Sequence, residues 1–183
     1  MGGDWWAMDE ARVVLGIDPG LAVTGYAILR FPGGRQRDAG PRVVEAGIIR
    51  TAPGQDLARR LDDIYRGVAG ILDQHPVDWV AVEDLYTNYR HPPTALLMAH
   101  ARGVVLLAAA QAGTPVESFP PARVKQALTG RGDAGKAQVQ HMVQNYLGLR
   151  ELPRPDHVAD AMAVALAWGH LGPLTAGLRG KRT

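Results

Sequence analysis

Residues 12–30, RVVLGIDPGLAVTGYAILR, set the architecture. RVVLGID (12–18) is an apolar run rich in β-branched residues that stops at Pro19-Gly20, which reads as a strand closed by a turn. VTGYAILR (23–30) is a second such run. VVEAGIIR (43–50) is a third, after the loop FPGGRQRDAGP. Connections this short favour an antiparallel meander.

From Gln55 the period changes. Leu57, Leu61, Ile64, Tyr65, Val68, Ile71 and Leu72 fall at helical spacing and predict an amphipathic helix to about His75. VDWVAVE (77–83) reads as a strand whose composition buries both faces. A helix follows from near Pro93, a residue suited to a first turn, to about Ala112. It is apolar nearly all round (Leu96, Leu97, Met98, Val104, Val105, Leu106, Leu107), so it lies deep in a core or meets a partner subunit. PVESF (115–119) predicts a short strand, GDAGKAQVQHMVQNYLG a helix from about Ala134, and PDHVADAMAVALAWGH the last helix. Three strands, helix, strand, helix, strand, helix, helix make an α/β fold, a mixed five-stranded sheet flanked by helices.

The chain has 183 residues, enough for one well-buried domain, and 46% hydrophobic with 21% charged residues is ordinary for a globular protein. Residues 1–11 show no period and are expected to be a disordered extension, and 171–183 a basic tail, leaving 12–170 as the domain. No run of eighteen apolar residues occurs, which speaks against a membrane span. MGGDWWAMDEAR lacks the charged and apolar regions of a secretory signal. The absence of cysteine excludes disulfides and thiolate metal sites, and the expected compartment is the cytoplasm. Charge is uneven. Residues 1–120 hold 11 Lys and Arg against 14 Asp and Glu, whereas 121–183 hold 9 against 4. A basic C-terminal third suits a polyanionic partner, though a solvated surface would look the same.

Three acids stand in apolar surroundings: Asp18 at the end of the first strand, Glu83 at the end of the fourth, and Asp160 inside a helix of Ala, Val and Met. Buried carboxylates are costly unless paired, hydrogen-bonded or bound to metal. Each has an innocent reading: Asp18 as a turn residue before Pro-Gly, Glu83 where the chain meets water, Asp160 on a solvent face. Together they fall where one fold would gather them, in an oxygen-rich site for Mg²⁺ or Mn²⁺. Two such ions about 3.5–4 Å apart suit phosphodiester hydrolysis.

RVVLGIDPGLAVTGYAIL (12–29), VAVEDLYTN (80–88), ARGVVLLAA (101–109), ARVKQALTGRGDAGKAQVQHMV (122–143) and DHVADAMAVALAW (156–168) resemble, in order, the blocks of the RuvC family of crossover (Holliday) junction endodeoxyribonucleases. The resemblance runs from Arg12 to about His170. It implies an RNase H-like fold and a homodimer. It also implies a metal-dependent endonuclease, with two Mg²⁺ or Mn²⁺ ions per site, that resolves four-way DNA junctions by paired symmetric nicks during recombination and repair. The partners it implies are four-way junction DNA and the branch-migration proteins RuvA and RuvB. Asp18 and Glu83 match the family's first- and fourth-strand acids and Asp160 its last acid. The position three before Asp160, an Asp in many members, is His157 here. Helical spacing lets either His157 or Asp156 share a face with Asp160. The family register selects His157, whose neutral imidazole can ligate such ions.

Lys125 and Lys136 match family positions that contact phosphate, with Arg123 and Arg131 as helpers. Such groups grip backbone and carry little sequence information. Tyr86, at the head of YTNYRHPP, reads either as a ring packing its loop or as one that stacks on an unpaired base at the crossover, and the resemblance favours stacking; Tyr89 and Arg90 are weaker candidates. Two rival readings exist. A sugar-kinase or actin-like ATPase also opens on a strand and an acidic turn, but needs far more than 183 residues. The alternative, a non-catalytic junction-binding protein, would expect one of the three acids to be replaced, and all are present.

Overall fold

The computed structural model describes residues 10–34, 39–85 and 92–172. Three strands, β1 (Arg12–Asp18), β2 (Val23–Phe31) and β3 (Arg42–Arg50), lead into α1 (Leu57–Gln74). β4 (Trp79–Glu83), α2 (Pro92–Gln111) and β5 (Val116–Phe119) follow, then α3 (Pro121–Thr129), α4 (Lys136–Leu147) and α5 (Asp156–Leu171). The strand order is β3-β2-β1-β4-β5. β2 runs antiparallel to both β1 and β3, while β4 pairs parallel with β1 and β5 parallel with β4. The expected mixed sheet is present. Residues 1–9 and 173–183, most of the expected extension and tail, lie outside the described residues.

Alternation along the strands splits the core in two. Leu15, Ile17, Ile28, Val80 and Val82 face α1 and α2, where Ile64, Val68, Ala101 and Val105 complete one cluster. Val14, Ala27, Leu29 and Ala81 face α5, α3 and α4. Asp18 continues the Val14, Gly16 row and Glu83 the Trp79, Ala81 row, so both carboxylates belong to the α5 side.

One helix departs from the sequence expectation. Nine-residue α3 was not anticipated, because it is too short to display a period. Its signals are local: Pro121 in the first turn, Val124 and Leu128 buried one turn apart, and Gly130 closing it in the left-handed conformation at φ 76°.

One helix meets a membrane span's requirements of length and composition without overturning the expectation. By length and mean hydropathy the window Thr94–Gln111 of α2 could cross a bilayer. The sequence contains no unbroken apolar run there because His100 and Arg102 interrupt it, and the Arg102 guanidinium pairs with Asp84 at 3.1 Å. Ala101, Val105, Ala108 and Ala109 meanwhile pack into the core of this chain.

Candidate active site

The site begins with two glycines. A Cβ on Gly16 would lie 2.2 Å from the Ala161 carbonyl oxygen, and one on Gly25 would lie 2.0 Å from that of His157. Side chains there would hold α5 off the sheet. Their absence presses the first turns of α5 onto β1 and β2 at the point where Gly25 pairs with Asp18. His157 Nδ1 comes to rest 2.8 Å from Asp18 Oδ2. With Nδ1 donating, the Nε2 lone pair is left for another partner.

Glu83 reaches the same place from the next strand. Ile17 pairs with Val82 across the parallel β1–β4 ladder, which sets Asp18 and Glu83 abreast. Burial raises the Asp18 carboxyl above its ordinary range, and the charge of Asp160 adds to the effect against the His157 hydrogen bond. Burial together with the charges of Asp18 and Asp160 pushes Glu83 up to about 7. These are crowded acids short of positive charge.

Lys136 supplies part of it. Its Nζ lies 3.1 Å from Asp160 Oδ2 and 3.0 Å from Asp156 Oδ2. A cleft of about 210 Å³ is lined by Glu83, Lys125, Lys136 and Asp160, with Pro121, Val124, Val139 and Ala163 as its apolar walls. Two carboxylates and two lysines lining one cleft suit a phosphate that must approach acids. The unanticipated α3 matters here, because it carries Lys125 and two of those walls.

The other expected residues fall elsewhere. Arg123 is exposed on α3 and does not line the cleft. Arg131 is exposed and held by Asp133 through two hydrogen bonds of 3.1 and 3.0 Å. Asp156 is exposed and accepts from Gln140 at 3.2 Å as well as from Lys136. Tyr86, Tyr89 and Arg90 lie outside the described residues. The sequence reading overlooked Arg102. This half-buried guanidinium donates to Ser118 Oγ at 2.6 Å and pairs with Asp84, the residue after Glu83. A single cation in an otherwise apolar helix was the available signal.

The donors fit a hard divalent cation by chemistry: three carboxylates, one imidazole, and negative charge left unbalanced. Among the described residues no three His, Asp or Glu side chains are already arranged to hold one, and Lys136 holds Asp160 instead.

A family model for crossover junction endodeoxyribonuclease RuvC matches residues 14–168. The chain belongs to the RuvC family. The RuvC of Rhodopirellula baltica is 47% identical, over 88% of this chain and 87% of the relative. That of Pelotomaculum thermopropionicum is 46% identical, over 86% and 93%. Among solved structures, T. thermophilus RuvC in complex with Holliday junction substrate superposes with a TM-score of 0.80 at 38% identity, covering 87% of this chain and 93% of that one. The yeast mitochondrial Holliday junction resolvase Ydc2 shares the fold, with a TM-score of 0.60 at 14% identity over 90% and 80%. The RNase H-like architecture expected of a RuvC protein, a five-stranded mixed sheet between helices, is the one observed. Membership of a crossover junction endodeoxyribonuclease family also disposes of the ATPase reading.

Proposed function

We propose that this RuvC protein resolves four-way DNA junctions by paired nicks, with Asp18, Glu83, His157 and Asp160 holding Mg²⁺ or Mn²⁺, two ions per site. The observation that carries the reading is the convergence of strand-end acids Asp18 and Glu83 with His157 and Asp160 beside a lysine-rimmed cleft. A bound pair of ions would supply an activated water and charge stabilisation at the leaving oxygen. The chain's own residues do the remainder. Asp18 orients His157 through the 2.8 Å contact. Lys125 and Lys136 draw the phosphodiester to the carboxylates. The register of the α5 first turn favours His157 over Asp156 as the fourth ligand, because His157 meets Asp18 while Asp156 is taken up by Lys136 and Gln140.

A homodimer belongs to the same proposal. Leu96, His100, Gly103, Leu107 and Ala110 form one exposed stripe on α2 at alternating spacings of four and three, the pattern of a helix–helix seam. A two-fold dimer would present two sites to the two opposed strands of a junction. Work beside RuvA and RuvB and stacking of Tyr86 at the crossover rest on the family resemblance, whereas action in the cytoplasm and backbone contacts from Arg123 and Arg131 rest on the sequence.

The decisive test is a mobile four-way junction incubated with and without Mg²⁺ or Mn²⁺. Symmetric nicks only with metal are expected. Tight binding without nicks under either metal would leave a junction-binding protein. His157→Ala should lose most cleavage and Asp156→Asn much less, and the reverse would exchange their roles.

A further inference from the structure

Lys136 is the first residue of α4, and its ammonium stands between two carboxylates of α5. The distances are nearly equal, 3.0 Å to Asp156 and 3.1 Å to Asp160. The carboxylates are not equivalent. Asp160 lines the cleft with Glu83, whereas Asp156 is exposed and turned to α4, its other oxygen accepting from Gln140 at 3.2 Å. A lysine ammonium held by two carboxylates at these distances carries its ordinary positive charge. Lys136 is therefore a resident cation on Asp160, and a second cation could take Asp160 only against its repulsion.

We infer that Lys136 is the site's internal counter-ion and that Asp156 is its resting place, receiving the ammonium when a divalent metal claims Asp160. The inference rests on the metal-nuclease reading above and makes Asp156 a positioning residue. The geometry makes the exchange cheap. Lys136 already touches Asp156, so leaving Asp160 costs one of two ion pairs and no large movement. Both pairs are more than a quarter exposed, and such pairs are individually weak. Gln140 keeps Asp156 in place while the lysine shifts its weight. The ammonium stays at the rim of the cleft, where Lys125 also lies, ready for a phosphate oxygen. Without Asp156 the lysine would fall back wholly on Asp160 and compete with the metal.

Calorimetric titration of Mn²⁺ into the DNA-free full chain separates this from simpler electrostatics. Wild type, Lys136→Gln, Asp156→Asn and the double variant form a cycle, and all substituted side chains are exposed enough to leave folding intact. Lys136→Gln should bind Mn²⁺ about 2- to 5-fold more tightly, the scale of one exposed ion pair. Asp156→Asn should bind about 2- to 3-fold more weakly, and the double variant should match Lys136→Gln, a strong coupling between neighbours. An equal loss from Asp156→Asn in both backgrounds would overturn the inference, since Asp156 would then act as a ligand or as a plain negative charge. Unchanged or weaker binding in Lys136→Gln would overturn it too. Failure of the underlying reading looks different: no Mn²⁺ binding to wild type, or undiminished binding in Asp160→Asn, would remove the metal site itself and the hand-off with it.

Discussion

Helix α5 is buried without a break from Val158 to Gly169 apart from half-buried Asp160, whereas α2, just as rich in Ala, Val and Leu, leaves Leu96, Leu97 and Leu107 exposed. Composition does not separate them; neighbours do. α5 lies on β1 and β2 and is covered from outside by α3 and α4, through Val124, Leu128, Val139 and Val143. α2 meets α1 and the sheet through Ala101, Val105, Ala108 and Ala109, and nothing described covers its other side. A helix apolar all round can thus be covered on every side by its own chain or, among the described residues, on one side only. The difference also sorts their work. The enclosed helix is packed on every side and carries His157 and Asp160 in its first turns, the kind of rigid support the proposed metal site would need.

Breaking α2 should have the largest effect. If its bare stripe is the dimer seam, Leu96→Glu with Leu107→Glu removes four leucines from a two-fold interface. At about 1.5 kcal/mol for each partly buried leucine, the dimer should weaken by roughly 6 kcal/mol, on the order of 10⁴-fold. The protomer itself should lose less than about 0.5 kcal/mol, because these side chains already stand in water. Light scattering at micromolar concentration with a thermal melt checks both halves. A variant that stays dimeric would place the seam elsewhere.

On the α5 side the corresponding strike is Asp18→Asn. It removes a proposed metal donor and also the partner of His157 at 2.8 Å. Cleavage should fall by about 10³-fold, equivalent to about 4 kcal/mol of transition-state stabilisation. Junction binding should hold or strengthen, since a negative charge facing phosphate is lost. Gel shift and cleavage on one preparation decide it, and parallel loss of binding would make Asp18 structural.

Gly25→Ala probes the seating of α5. The added methyl meets the His157 backbone at 2.0 Å, and backbone cannot step aside as a flexible side chain would. Overpacking of this kind costs about 3 kcal/mol, or on the order of 5–10 °C in Tm for a protein of this size. Cleavage should fall along with it, as His157 moves away from Asp18. A wild-type melt would mean that α5 does not approach β2 so closely.

Much of this was legible in the sequence, for physical reasons that also explain the misses. Strand-end Asp18 and Glu83 stood out because apolar runs tolerate acids only at their ends, and parallel pairing of β1 with β4 then sets them abreast. The choice between Asp156 and His157 was not open to spacing, because both fall within about one turn of Asp160. It took the approach permitted by Gly25 to aim His157 at Asp18. Helix α3 was missed because two buried residues one turn apart are no period, although Pro121 and Gly130 marked both its ends. The contact of Arg102 with Asp84 joins residues far apart in sequence, and no local pattern announces it.

The smallest expected effect concerns the crowded carboxylates on the α5 side. Burial and the neighbouring Asp18 and Asp160 push Glu83 up to about 7, against an ordinary 4.5. The folded, metal-free protein therefore holds this proton more tightly than the unfolded chain does. Its contribution to stability is full below about pH 4.5 and is lost as pH rises through about 7. A tenfold difference in proton affinity is worth about 1.4 kcal/mol, so roughly 2–3 kcal/mol should disappear between pH 5 and pH 8. Glu83→Gln cannot ionise and should lack that loss. His170, which burial holds below its ordinary range, works in the opposite direction in both proteins. The measurement is therefore the difference between the two denaturation curves at each pH, not either curve alone. Mg²⁺ or Mn²⁺ should erase the difference at pH 8 by stabilising the wild type, because a cation among these carboxylates favours their ionised forms. Parallel curves for wild type and Glu83→Gln across the whole range would show that Glu83 is not crowded by the acids beside it.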